Sequence, residues 1–173
     1  MITYKNSNMD KYKIIKFNEQ YFDQTAELIA LFRDQLRKYK GIDSTPDIVS
    51  ASKELTSISK DENYPIYLCL ENKSVVGYMM LKVDGVIWVE QIYVKESYRR
   101  KGIASLLYEE AEKKSKEIGE DTLFNCVHPN NEAIISFLKS KGYTVLNLIE
   151  IRKPYKDEIL KTTIKVGNNN FDY

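Results

Sequence analysis

Arg99, Arg100 and Lys101 stand directly before Gly102-Ile103-Ala104, three cations ahead of a glycine, and residues of those types in that order suit an anion. What flanks them makes the case stronger. Val86-Ile87-Trp88-Val89-Glu90-Gln91-Ile92-Tyr93-Val94 is almost wholly apolar and β-branched or aromatic, which predicts a buried strand. Ile103, Leu106, Leu107, Ala111 and Ile118 then recur at helical spacing, so a helix is expected to open at about Gly102. A strand that turns through a glycine into a helix start leaves unpaired backbone N–H groups at the positive end of a helix dipole. That arrangement can hold a diphosphate. Gly102 lets the backbone approach such a ligand, and Ala104 keeps the next turn low. Ser105 can add a hydroxyl, though serine early in a helix is often a local cap.

Glu90 is the acid of the apolar strand. Regular alternation puts it on one face with Trp88, Ile92 and Val94, where an unpaired buried carboxylate is costly. A purely structural account places it at the strand edge or pairs it with a core base such as Arg33. A second stretch runs Asn125-Cys126-Val127-His128-Pro129-Asn130-Asn131 and on to Gly142-Tyr143. Pro129-Asn130 predicts a turn and an N-cap. Ala133, Ile134, Phe137 and Leu138 form an apolar helix stripe that Gly142 ends. For Asn130 and Asn131 the plain reading is capping. His128, the only histidine, reads as a solvated loop residue.

The elements that must position these residues follow from the same patterns. Residues 12–17 read as a strand. Phe22, Ala26, Ile29, Phe32, Leu36 and Tyr39 mark an amphipathic helix that Gly41 stops, with Arg33, Asp34, Gln35 and Arg37 on its solvated face. A second helix is expected over 46–60, with Pro46 in its first turn. Residues 66–70 and 75–83 form a hairpin that continues through Asp84-Gly85 into the strand at 86–94. Then come the helix from Gly102, a strand over 122–127, a helix over 131–141 and a strand over 143–152. Residues 159–166 could add a strand, and the end of the chain reads as frayed.

Arg99-x-x-Gly102-x-Ala104 after a strand ending Ile92-Tyr93-Val94 resembles the acetyl-CoA signature of the GNAT N-acetyltransferases. The 125–143 stretch is similar to that family's second pattern, with its asparagine at Asn131. The resemblance implies an α/β (α+β) fold with a central mixed sheet of six to seven strands, an antiparallel meander followed by β-α-β-α-β, and helices on both faces. It covers about 12–153 of a single domain spanning 1–173, with 154–173 as an extension. It implies acetyl-CoA as cosubstrate, with no metal, held by Ile92, Tyr93 and Val94 through the strand backbone. Arg99, Arg100, Lys101, Gly102, Ile103, Ala104 and Ser105 would surround the diphosphate, and Asn131 would contact the cofactor. The Ile92 N–H would face the thioester oxygen, and Glu90 would take the amine proton directly or through water. Burial of a carboxylate favours such a role. One departure is plain: the family often has a tyrosine at the position of Leu138 to protonate the departing thiolate. Tyr143, Tyr108, Tyr93 and Tyr78 are candidate substitutes.

Composition sets limits on partners. A net charge of +1, from 26 basic and 25 acidic residues, gives no general attraction to nucleic acid or acidic membranes. Cys69 and Cys126 make no metal or disulfide motif and read as small core residues. No apolar run has membrane-spanning length, and Met1-Ile2-Thr3-Tyr4-Lys5-Asn6 does not read as a signal peptide. A reducing cytoplasm is the expected compartment. Two function classes follow: an acetyl-CoA-dependent N-acetyltransferase acting on an amine acceptor, and a non-catalytic CoA or acyl-CoA sensor on the same fold. A homodimer is compatible with the 154–173 extension. The acceptor is not legible in residues 19–60.

Overall fold

The structure, a computed structural model, describes residues 11–173. The readings of Met1–Asn6 and of 1–10 fall outside the described residues. The chain forms two compact units, the first ending at Phe137 and the second comprising Leu138–Tyr173.

The first unit is built on a sheet of order β1-β2-β3-β4-β5. Its strands are β1 (Tyr12–Lys16), β2 (Ile66–Glu71), β3 (Ser74–Asp84), β4 (Val86–Val94) and β5 (Phe124–Asn125). The first four pair antiparallel as a meander and β5 runs parallel to β4. α1 (Phe22–Tyr39) and α2 (Ile48–Ile58) lie between β1 and β2 in the chain, and α3 (Ile103–Glu117) between β4 and β5. α4 (Glu132–Ser140) runs across the division between the units.

Burial explains the layers. β2 is buried at five of its six positions, as expected of a strand covered on both faces. Ala26, Leu28 and Ile29 of α1 and Ala51 and Leu55 of α2 pack with Leu68, Tyr78 and Met80 in one core. On the opposite face Ile103, Leu107 and Ala111 of α3 are buried. Gly77 of β3 makes that closeness possible. A Cβ there would meet the Tyr93 carbonyl oxygen at 3.1 Å and the Ile103 side chain at 3.2 Å. α2 starts two residues after Pro46 because Asp47 caps it, accepting from the Ser50 N–H at 2.9 Å.

Several expected elements change. The strand expected over 122–127 shrinks to Phe124–Asn125. Side chains take the carbonyls before it: Ser115 Oγ donates to Thr122 O at 2.8 Å and Asn125 Nδ2 to Leu123 O at 3.4 Å. Cys126 therefore lies exposed beyond the sheet rather than in the core. Residues 143–152 form no strand. The doublets Val145-Leu146 and Leu148-Ile149 break the two-residue period, so no single apolar face exists to dock. The end of the chain is paired, not frayed. β6 (Thr163–Val166) and β7 (Asn169–Asp172) form a hairpin through Gly167 at φ 59°, and Thr162 and Tyr173 extend it with reciprocal backbone bonds of 2.9 and 2.8 Å. Among the described residues, the expected sheet of six to seven strands is thus a five-stranded mixed sheet and a two-stranded hairpin, with the α/β class and helices on both faces as expected.

Candidate active site

β4 carries a bulge at Glu90. Met80 pairs with Gln91, but Leu81 pairs with Val89, leaving Glu90 as the extra residue. Cross-strand partners share a face, so the bulge breaks the expected alternation. Gln91 and Tyr93 share the α1–α2 face with Tyr78 and Met80, whereas Ile92 and Val94 share the α3 face with Met79 and Gly77. Alternation from Trp88, the partner of Lys82, puts Glu90 on the side of Trp88. The face shared by Glu90, Ile92 and Val94 is therefore corrected. Glu90 also does not pair with Arg33, whose guanidinium bonds Glu54 of α2 through Nε at 2.6 Å.

β4 and β5 part early. Their register covers only Trp88 with Phe124 and Val89 with Asn125, so the β5-facing edge of residues 90–94 has no strand partner among the described residues. Lys95 N–H donates to Val76 O on β3 at 2.9 Å. Backbone groups alternate between the two edges of a strand, so Tyr93 turns toward β3 while Ile92 and Val94 turn toward the open edge. The Val94 carbonyl there accepts from Arg99 Nε at 3.1 Å.

The turn after β4 is unusual at two residues. Arg100 has φ 62° and Gly102 has φ 84°. Gly102 caps α3 without a side chain, and Leu106 N–H donates to its carbonyl at 3.1 Å. Ile103, Ala104 and Ser105 thus present N–H groups with no partner inside the helix. The cations divide their contacts. Lys101 Nζ donates to Ser97 O at 2.7 Å. Arg99 lies over the Tyr93 ring at 5.5 Å and donates through its second terminal nitrogen to Gln35 Oε1 at 2.9 Å.

That Arg99 contact leads along α1 to Asn131. Gln35 Nε2 donates to the Tyr39 hydroxyl at 2.9 Å, which donates to Asn131 Oδ1 at 3.1 Å. Asn131 Oδ1 also accepts from Ile134 N–H at 3.3 Å, so Asn131 rather than Asn130 caps α4. Asn130 Nδ2 instead donates to Tyr39 O at 3.0 Å. His128 is no solvated loop residue. Its ring stacks on Tyr39 at 5.7 Å, and burial, then the charge of Lys40, holds its pKa below the ordinary value. The solvated reading holds for Arg33 and Arg37, which are exposed, but not for Asp34, which is buried and accepts from Ser44 Oγ, nor fully for the half-buried Gln35, which accepts from Arg99.

Among the tyrosines named above, Tyr78 and Tyr108 are buried. Tyr78 donates to Gln91 Oε1 and Tyr108 to Asn125 Oδ1, each at 2.6 Å. Leu138 is buried. Cys69 is a core residue, and burial pushes its thiol up to about 12. Sequence reasoning missed Tyr39, Glu54 and Gln91. The one available signal was a second polar residue, Gln91, beside Glu90 in an apolar strand.

Fold and site define a mixed α/β protein in which an open strand edge meets a bare helix N-terminus. A sequence model described as the Acetyltransferase (GNAT) family matches residues 25–143, and the chain belongs to this family of acetyltransferases. An uncharacterised N-acetyltransferase from the pepI 3' region of Lactobacillus delbrueckii subsp. lactis is 26% identical over 149 residues, 76% of this chain and 84% of that protein. Solved structures agree on the fold. The aminoglycoside acetyltransferase meta-AAC0020 from an uncultured soil metagenomic sample, in complex with sisomicin, superposes with a TM-score of 0.66 at 18% identity, covering 85% of this chain and 98% of that one. A probable acetyltransferase gives 0.67 at 21% identity, covering 84% and 99%. Among the described residues, no helix is long and apolar enough to cross a membrane.

Proposed function

We propose that this chain, as a single domain over 1–173, transfers the acetyl group of acetyl-CoA to a primary amine of a small molecule, peptide or protein by direct attack in a ternary complex. The observation that carries this reading is the parting of β4 and β5 beyond Val89 and Asn125, next to a helix start capped by a glycine at φ 84°. The open edge suits an extended arm that pairs as a strand would. The α3 N-terminus suits a diphosphate. Ile92, Tyr93 and Val94 would line the arm, with residues 100–105 around the diphosphate. Arg99 and Asn131, tied through Gln35 and Tyr39, would close the cleft on the side of α1.

Acetyl-CoA supplies a thioester carbonyl for the amine to attack. The Ile92 N–H, on the open edge, would donate to the oxygen as negative charge develops there. Glu90 would take the amine proton, directly or through one water. Leu138 has no proton to give, but a thiol of pKa about 8.5 leaves readily without a strong acid. Leu138 favours the second reading, a CoA-binding sensor without turnover. Leu138→Tyr asks how the thiolate leaves: a large rate gain marks a compromised catalyst, and an unchanged rate marks another proton route.

The test is thiol release from acetyl-CoA against polyamines, aminoglycosides, amino acids and N-terminal peptides. Aminoglycosides belong in the panel because fold neighbours are described with sisomicin and with a bisubstrate analogue of neamine. Release that needs a particular amine supports the enzyme. Tight acetyl-CoA binding with silence across the panel supports the sensor.

A further inference from the structure

A polar chain crosses the core beneath the bulge. The Arg33 guanidinium grips Glu54 through Nε at 2.6 Å and a terminal nitrogen at 2.5 Å. Gln91 Nε2 donates to Glu54 Oε1 at 2.8 Å, and the Tyr78 hydroxyl donates to Gln91 Oε1 at 2.6 Å. Four elements are joined: α1, α2, β4 and β3. The chain grades from solvent to core, with side chains of Arg33 and Glu54 48% and 20% exposed, and Gln91 and Tyr78 at 9% and 0%. Burial, then the charge of Glu54, keeps the Tyr78 phenol well above its ordinary pKa, so it remains a donor.

Gln91 stands between the two groups to which acetyl transfer was assigned. Glu90 precedes it as the extra residue of the bulge, and Ile92 follows it with its N–H on the open edge. A bulge can migrate along a strand, and each residue it passes exchanges its facing. Gln91 on the α3 face would lose both Glu54 and Tyr78, leaving buried polar groups unpaired. The bonds to Glu54 and Tyr78 therefore hold the bulge at Glu90.

We propose that Glu54 is a positioning residue for acetyl transfer: gripped by Arg33, its carboxylate anchors Gln91 and so fixes the bulged run Val89–Ile92, with the Glu90 carboxylate before Gln91 and the Ile92 N–H after it. The proposal rests on the roles given above to Glu90 and Ile92. Glu54 touches neither substrate nor cofactor; it acts through Gln91.

The experiment combines kinetics with amide exchange in the full chain. Glu54→Gln keeps the side chain's shape but removes its charge and turns one of its two acceptor oxygens into an NH2 donor, so the separate oxygens that take Arg33 Nε and Gln91 Nε2 are no longer both available. Arg33→Met changes a half-exposed residue and relaxes the same anchor, which guards against a misfolded first variant. Misplacement near 1 Å can cost up to about 100-fold in rate. The expected result is a kcat lower by about 10- to 100-fold, with KM for acetyl-CoA within about twofold, because the α3 N-terminus is untouched. In a Gln91→Leu background, Glu54→Gln should cost little more, since the two act as one unit. The amides of Gln91 and Tyr93, which face β3, should exchange about tenfold faster in Glu54→Gln, while those of β2 hold. A folded, active Glu54→Gln with wild-type kcat, a loss fully additive with Gln91→Leu, or unchanged exchange at Gln91 and Tyr93 overturns the proposal alone. A wild type that transfers acetyl to no amine overturns the functional reading, and the proposal with it.

Discussion

Glu90→Gln keeps the size and shape of the side chain and removes its basicity, so it isolates proton transfer from packing. General bases contribute about 100- to 10,000-fold, and kcat should fall at least about 100-fold with acetyl-CoA affinity kept. A wild-type rate in a stopped-flow or steady-state thiol assay would remove Glu90 from the mechanism. Glu90 and Gly102 were legible because each breaks a local pattern: an acid in an apolar strand, a glycine at a strand-to-helix turn. The surroundings of Glu90 were not. One extra residue in β4 inverts side-chain parity, and no count of alternation can locate a bulge in advance. The Gln91–Glu54 bond spans 37 positions, and the Tyr39–Asn131 bond spans 92. Such partners are chosen by the packing of whole elements.

β3 reaches α3 and β4 only because Gly77 has no side chain. Gly77→Ala places a methyl against the Tyr93 carbonyl oxygen at 3.1 Å, a ladder atom with little room to yield. Overpacking of this kind costs roughly 1–3 kcal/mol. Urea unfolding should register that loss, and an unchanged midpoint would mean that the strands separate more easily than described. The loop after α1 is held by charge. Asp34 is buried, accepts from Ser44 Oγ at 2.6 Å and pairs with Lys38 at 2.7 Å. Lys38, then Ser44, hold its carboxyl below the ordinary 3.8. The sign follows: a depressed native pKa adds stability that is complete above 3.8 and lost as pH falls through the native value. Asp34→Asn should lower Tm at pH 7, and the gap should close in acid. A gap that persists at the lowest pH would point to packing instead. The order of strands and helices through α4 was legible because each element carries its own period. Residues 143–152 misled because β-propensity is a fit to a partner surface, and those residues lack one consistent face to offer.

At the scale of the whole molecule, the meander, the crossover through α3 and the balanced charge were legible, while the division at Phe137 was not. The apolar stripe of α4 runs through that point without a change in pattern. Residues 144–161 carry no helix or strand, so their amides should exchange much faster than those of β2 and β3. Protection equal to the central sheet would restore the strand expected there. The central claim is that the opened β4 edge and the α3 N-terminus together hold acetyl-CoA, and calorimetric titration of acetyl-CoA into the wild type and Gly102→Glu tests it most directly. A glutamate at φ 84° is strained by about 1–2 kcal/mol and sets a negative charge where the diphosphate would lie. The account predicts saturable binding by the wild type and an affinity at least about 30-fold weaker in a folded Gly102→Glu. Equal binding by both proteins, or none by the wild type, would contradict it.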